Sequence, residues 1–193
     1  MGPAAGTTAG YAAVVLAGGT AARLDGVDKA GVELAGRTLL EHVLAAVRGA
    51  TEIVVVGDQV PTSQPVTFTR EDPPYGGPAA GLLAGRDALA RTPEHLVVVA
   101  VDMPRVAATT VERLLAAATG HDGAFLTDAA GRRQLAGVVV VRALDRARPP
   151  DCHGLPLHRL LAPLELAEVA ADGSEAVDVD TWADLRDLRE DGS

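Results

Sequence analysis

Apolar runs and helically spaced apolar faces alternate along this chain. Residues 11–17, 53–56 and 96–101 are continuous runs of mainly Val, Ala, Leu and Ile. Continuity rather than alternation predicts strands buried on both faces, as in a parallel sheet. Between the first two runs, Leu39, Leu40, Val43, Leu44 and Val47 fall at helical spacing, and Thr38-x-x-Glu41 reads as the capping box that opens the helix. His42 is assigned to its solvent-facing edge. A second helix is expected over 79–89. A third opens at Thr109-x-x-Glu112, with Leu114 and Leu115 inward, and a last one runs from Thr181-x-x-Asp184 through Leu188. Residues 66–68, 123–127, 137–142 and 164–169 read as further strands, 128–134 as a polar turn and 157–161 as a short helix.

Strands alternating with helices specify an α/β fold whose mostly parallel sheet is covered on both faces. A length of 193 residues fits one domain. That domain is assigned to 11–189, with the small and polar residues 1–10 as a frayed tail. In open α/β sheets, ligands bind beyond the carboxyl ends of the strands. The three apolar runs end at Gly18-Gly19, at Gly57-Asp58 and at Asp102. Their ends converge on one edge, which is the candidate site.

Composition restricts what that edge binds. The formal charge of −9 argues against a nucleic-acid or membrane surface, so an anionic ligand needs a local cationic patch. The single cysteine, Cys152, excludes an internal disulfide and fits a reducing compartment. No signal-peptide pattern opens the chain and no apolar run reaches membrane-spanning length, so the cytoplasm is the expected location. His95, His121, His153 and His158 lack metal-ligand spacing, and the absence of G-x-S-x-G argues against acyl transfer.

The chemistry concentrates in residues 14–29, VVLAGGTAARLDGVDK. Two glycines after a buried strand let the backbone approach a ligand closely, and exposed N–H groups in such a turn form an anion-binding concavity. Arg23 adds a planar fork for phosphate oxygens and Lys29 a compact point charge. Neither the P-loop pattern nor G-x-G-x-x-G is present. Lys29 is the only lysine in a chain that otherwise uses arginine, which suggests that arginine does not serve there. Asp102, at the end of a buried strand, suits Mg²⁺, which takes few carboxylates and keeps several waters. The plain alternative for Asp102 is a turn starter before Pro104.

Leu16, Ala17, Gly18, Gly19, Arg23, Asp28 and Lys29 stand at the spacing L-A-G-G-x-x-x-R-(x)4-D-K. That pattern resembles the signature of the molybdenum cofactor guanylyltransferases. Further along, Leu34, Gly36, Arg37, Leu39, Leu40 and His42 resemble the family's x-L-x-G-[KR]-x-L-L-x-H. Asp72 with Gly77, Pro78, Ala80 and Gly81 resembles D-(x)n-G-P-x-A-G, and residues 178–185 resemble [ND]-x-[ND]-T-P-x-[DE]-L. The resemblance spans about residues 11–188. It implies a Rossmann-like three-layer sandwich of the nucleotide-diphospho-sugar transferase type.

The resemblance further implies transfer of GMP from GTP to the terminal phosphate of molybdopterin carrying its molybdenum. Leu16, Ala17, Gly18, Gly19, Lys29, Asp72, Gly77, Gly81 and Asp102 would bind the nucleotide. Arg23 and Lys29 would offset charge on the triphosphate, and Asp102 would hold Mg²⁺. On the acceptor side, Arg132, Arg133 and Gln134 could grip the pterin or its phosphate, and Asp178 or Asp180 could approach the metal or the acceptor. The plain alternative for that pair is an N-cap before the final helix, which Asp180 and Thr181 fit just as well, and for the first three a solvated turn. GTP and molybdopterin are then the partners, with room for transient contacts with molybdenum cofactor biosynthesis proteins or target molybdoenzymes. Asp25 departs from the family's usual glycine and puts an extra acid beside the phosphates. The alternatives are a relative using CTP or another nucleotide on a different phosphorylated acceptor, and a non-catalytic nucleotide-binding paralogue.

Overall fold

The computed structural model describes residues 10–18 and 27–190. The expected tail, except for Gly10, lies outside the described residues, as do Gly19, Arg23 and Asp25. The described strands are β1 (Ala12–Leu16), β2 (Glu33–Leu34), β3 (Arg37–Thr38), β4 (Ile53–Val56), β5 (Thr67–Thr69), β6 (His95–Ala100), β7 (Gly123–Thr127), β8 (Arg133–Val140) and β9 (Leu166–Ala170). The helices are α1 (Leu39–Ala46), α2 (Gly77–Asp87), α3 (Ala108–Ala117), α4 (Val141–Ala147), α5 (Leu157–Leu161) and α6 (Trp182–Glu190).

Strands β2 and β3 form a separate hairpin; the other seven make one sheet in the order β5-β4-β1-β6-β8-β7-β9. Only β8 among them runs antiparallel to its neighbours. The three central runs are buried along both faces, and alternate residues feed two cores. Ala13, Val15, Val55, Val97 and Val99 pack beneath α1, α3 and α6. Val14, Leu16, Val54, Val56, Leu96 and Val98 pack beneath α2, α4 and α5. This is the three-layer sandwich that the apolar pattern specifies. Both cores have the size at which truncating a buried leucine such as Leu40 or Leu82 costs about 2–5 kcal/mol.

The sheet order reverses at β1, with β4 on one side and β6 on the other. A crevice opens at such a switch point. Helix α2 closes over it because Gly85 has no side chain: a Cβ there would lie 2.6 Å from a Val14 methyl. Among the described residues, no helix is long and apolar enough to cross a membrane.

Several local expectations need correction. Thr38 does cap α1, accepting from the Glu41 N–H at 3.2 Å, but the Glu41 carboxylate turns away to the Ser63 N–H and hydroxyl. His42 is half-buried rather than solvent-facing, its Nε2 lying 2.9 Å from the Leu34 carbonyl. Helix α3 starts one residue before Thr109. Its N-cap is Ala107, whose N–H donates to the Thr110 hydroxyl at 3.0 Å. Two adjacent threonines made the register of that cap ambiguous. Strand β8 begins at Arg133 and gives way to α4 at Val141, so the polar turn is shorter than expected and a helix replaces the end of the expected strand. The apolar run crosses from strand into helix without a break, which hides the boundary from periodicity.

Candidate active site

A cavity of about 400 Å³ opens at the carboxyl ends of β1 and β6. That volume is in the range of small-molecule sites. Its inner wall is Leu16, Ala17 and Gly18, held by two backbone bonds: Ala17 N–H to the Val56 carbonyl and Val101 N–H to the Leu16 carbonyl, both 2.9 Å. Gly57 permits this close packing, since a Cβ there would lie 3.0 Å from that of Ala17. The opposite wall is the start of α2, through Gly77, Pro78 and Gly81. The N-cap of α2, Gly76, provides no side-chain hydrogen bond, so the opening N–H groups and the positive end of the helix are left for a ligand. Gly77 has φ +84°, a conformation that suits glycine.

Lys29 and Asp102 line the same cavity. Lys29 sits in a 3₁₀ turn, Lys29–Gly31, which Asp28 caps by accepting from the Ala30 N–H at 3.0 Å. From there its ammonium donates to Asp102 Oδ2 and to Asp180 Oδ1, each at 2.9 Å. Asp180 arrives on the segment before α6, where the Val179 N–H donates to the Asp102 carbonyl at 2.8 Å and the Val179 side chain is fully buried. Asp184 and Thr181 then form a reciprocal capping box: Asp184 accepts from the Asp180 and Thr181 N–H groups, and Thr181 Oγ1 from the Asp184 N–H.

The electrostatics follow from this crowding. Burial alone would lower the Lys29 ammonium, but its hydrogen bonds to Asp102 and Asp180 and their charges outweigh that, so its pKa is raised. The lysine is therefore charged at neutral pH. Two of its three N–H groups are used, which leaves one for a ligand in the cavity it lines. Asp178 is pushed the other way: partial burial, then the charge of Asp180, and further off that of Asp102, outweigh its own N–H and the Lys29 charge and raise its carboxyl. The two carboxylates that Lys29 joins at this cavity are oxygen donors of the kind that suits Mg²⁺. Among the described residues there is no cluster of three or more His, Cys, Asp or Glu that would hold a metal by protein ligands alone.

The structure thus brings together Leu16, Ala17, Gly18, Lys29, Gly77, Gly81 and Asp102, and adds Asp180 to them. Asp72 is exposed on the loop at the cavity mouth, where its neighbour Glu71 supplies the lining carboxylate. Arg132, Arg133 and Gln134 stand at the β7–β8 turn. Arg132 Nε donates to Asp128 at 2.8 Å, Gln134 to the same carboxylate at 3.1 Å, and Arg133 lies 5.7 Å above the Phe125 ring. Sequence reasoning missed Glu71, Tyr75 and Leu135 as lining residues. Tyr75 carried a signal, an aromatic in a Gly- and Pro-rich loop; it is 73% exposed at positive φ. Leu135 carried none, since its place depends on β8 lying beside β6.

The chain matches the MobA-like NTP transferase domain family over residues 13–172. It is 30% identical over 146 residues to a molybdenum cofactor guanylyltransferase of Shewanella halifaxensis, covering 72% of each chain. With the enzyme of the same name from a Bradyrhizobium strain it shares 35% over 133 residues, 65% of this chain and 63% of that one. Among solved structures, a molybdopterin-guanine dinucleotide biosynthesis protein A of Archaeoglobus fulgidus superposes with a TM-score of 0.72 at 21% identity, covering 94% of this chain and 98% of the other.

Proposed function

The chain belongs to the MobA-like NTP transferase family and is a nucleotidyltransferase; from that premise we propose that it transfers GMP from GTP to the terminal phosphate of molybdenum-bearing molybdopterin. The observation that carries the reading is the convergence of Lys29, Asp102 and Asp180 at the mouth of a nucleotide-sized cavity walled by the β1 end and the α2 start. The guanine base and the pterin acceptor come from likeness to relatives named as guanylyltransferases.

The triphosphate lies along the backbone after Leu16, with the remaining Lys29 N–H toward its oxygens. Tyr75, exposed at the cavity mouth, offers a flat face for the base. An acceptor phosphate oxygen forms the new bond to the α-phosphorus as the bond to the bridging oxygen breaks, and pyrophosphate carries away the electron pair. A phosphate nucleophile is already ionised at neutral pH, so no residue has to take its proton. The work of the protein is positioning and charge. Asp102, with Asp180 beside it, would hold Mg²⁺, which when bound neutralises charge on the phosphate oxygens.

The test is an incubation with Mg²⁺, molybdenum cofactor and each labelled nucleoside triphosphate in turn. Guanine dinucleotide formed from GTP, with release of pyrophosphate, is the expected result. Product from CTP alone would overturn the guanine assignment, and nucleotide bound without any product would leave a non-catalytic nucleotide-binding paralogue.

A further inference from the structure

Asp180 reaches Lys29 from a segment with no regular structure, residues 171–181, between β9 and α6. Something must fix that segment, because a misplacement of about 1 Å at a reacting centre can cost 10²-fold in rate. Midway along it lies Glu175, one of the few polar residues the fold buries. Its carboxylate accepts from the Thr110 hydroxyl, from Arg113 Nη1 at 2.9 and 3.0 Å, and from the Asp172 N–H at 2.9 Å. Thr110 is itself fully buried. Its oxygen also accepts from the Ala107 N–H, five residues after Asp102. One hydroxyl therefore ties the chain just beyond Asp102 to the chain just before Asp180. Arg113 completes the brace with Nη1 on the Asp172 carboxylate at 2.9 Å and Nη2 on the Ala170 carbonyl.

We propose that Glu175, tied to Thr110 and Arg113, is a positioning residue that sets Asp180 against Lys29 and Asp102. The geometry of the site, rather than stability, is the reason to keep this cluster. A buried ion pair is weak support for a fold, since apolar side chains of similar volume often do as well or better. A fully satisfied polar cluster instead fixes one arrangement. Here the hydrogen bonds of the Glu175 carboxylate among the described residues land on α3 or on its own loop, and the loop leaves it directly for Val179 and Asp180. The catalytic weight of Asp180 rests on the reading above; the mechanical claim does not.

Trp182 makes the mechanical claim measurable. It is the only tryptophan in the chain, two residues beyond Asp180, and 43% exposed. In Glu175→Ala and Thr110→Val, acrylamide quenching of Trp182 is expected to rise in the folded protein, and Thr110→Ser, which keeps the hydroxyl, is expected to restore the wild-type value. In turnover, Glu175→Ala is expected to lower kcat about 10–100-fold, as loss of outer-shell partners does. KM for the nucleotide stays within roughly twofold, the pattern of an interaction lost at the reacting centre. In an Asp180→Ala background the same Glu175→Ala change is expected to cost less than about threefold more, because residues acting through one another are not additive. Unchanged Trp182 quenching in both variants overturns the proposal, and so does a fully additive loss with Asp180→Ala. If the wild-type protein transfers no nucleotide, the proposed function falls, and Trp182 quenching alone still decides whether Glu175 holds the segment.

Discussion

At the β7–β8 turn, Asp128 holds Arg132 at 2.8 Å and Gln134 at 3.1 Å, four and six residues along the chain. At the edge of the sheet, Lys29 holds Asp102 and Asp180 at 2.9 Å each, 73 and 151 residues along. Both places mix cations and carboxylates, and both are candidates from sequence. The difference lies in what each arrangement needs. Asp128 also accepts from the N–H groups of Ala130 and Arg132, so its carboxylate organises its own turn and would do so on many scaffolds. Lys29, Asp102 and Asp180 meet only if β1, β6 and the approach to α6 are all in place. Local polar pairs report a turn, whereas polar pairs that several elements conspire to build report a site.

Four substitutions test that contrast. Asp102→Ala is expected to have the largest effect, a loss of transfer on the order of 10²–10³-fold with the melting temperature nearly kept, because a preorganised charge is removed from the candidate site while its pair with Lys29 is only part-buried. Near-normal turnover would put the reacting centre elsewhere. Next is Lys29→Arg, with an expected loss of about 10²-fold despite the retained charge. A planar fork cannot place one nitrogen between both carboxylates as the ammonium does, and a misplacement of about 1 Å suffices. Steady-state kinetics on the pure variant decides it, and full activity would show that the lone lysine reflects only composition.

A smaller effect is expected from Glu175→Gln, read as stability against pH. Burial raises the Glu175 carboxyl, but the Thr110 hydroxyl, the Asp172 N–H and Arg113 outweigh it and hold the group below its ordinary value of 4.5. A depressed carboxylate contributes stability that is present above that value and lost as pH falls through the folded-state value. Urea unfolding of the wild type should therefore show a drop below pH 4.5 that is shallower in the glutamine variant; parallel curves would refute the assignment. Arg132→Ala completes the series. With its side chain 79% exposed and its partner on its own turn, its loss is expected to change acceptor KM by less than about threefold. A tenfold rise would move the turn into the acceptor site.

Much of the fold was legible because the three central strands are apolar without a break and the helices between them carry one apolar face. The edge at which the cavity opens was legible for the same reason: runs that end in Gly18, Gly57 and Asp102 mark the carboxyl ends of strands. What sequence could not show were contacts made by register. Leu135 lines the cavity only because β8 inserts antiparallel beside β6. Glu71 rather than Asp72 faces the cavity, a difference of one residue in a loop with no periodicity. Asp180 looked like a helix cap. It is not the cap: Thr181 Oγ1 accepts from the Asp184 N–H at 3.2 Å, while the Asp180 carboxylate is on Lys29.

The wide spacing of the three site residues also has a consequence for synthesis. At about 5–20 residues per second, a ribosome takes roughly 8–30 s to pass from Lys29 to Asp180. Within that interval the later strand ends and Asp102 are added to the lysine, and the last carboxylate comes only at its close. A chain interrupted between Leu135 and Asp180 carries every described residue that lines the cavity but not the carboxylate that completes the charge arrangement beside it. Completion of this charge arrangement is thereby tied to translation of the closing segment.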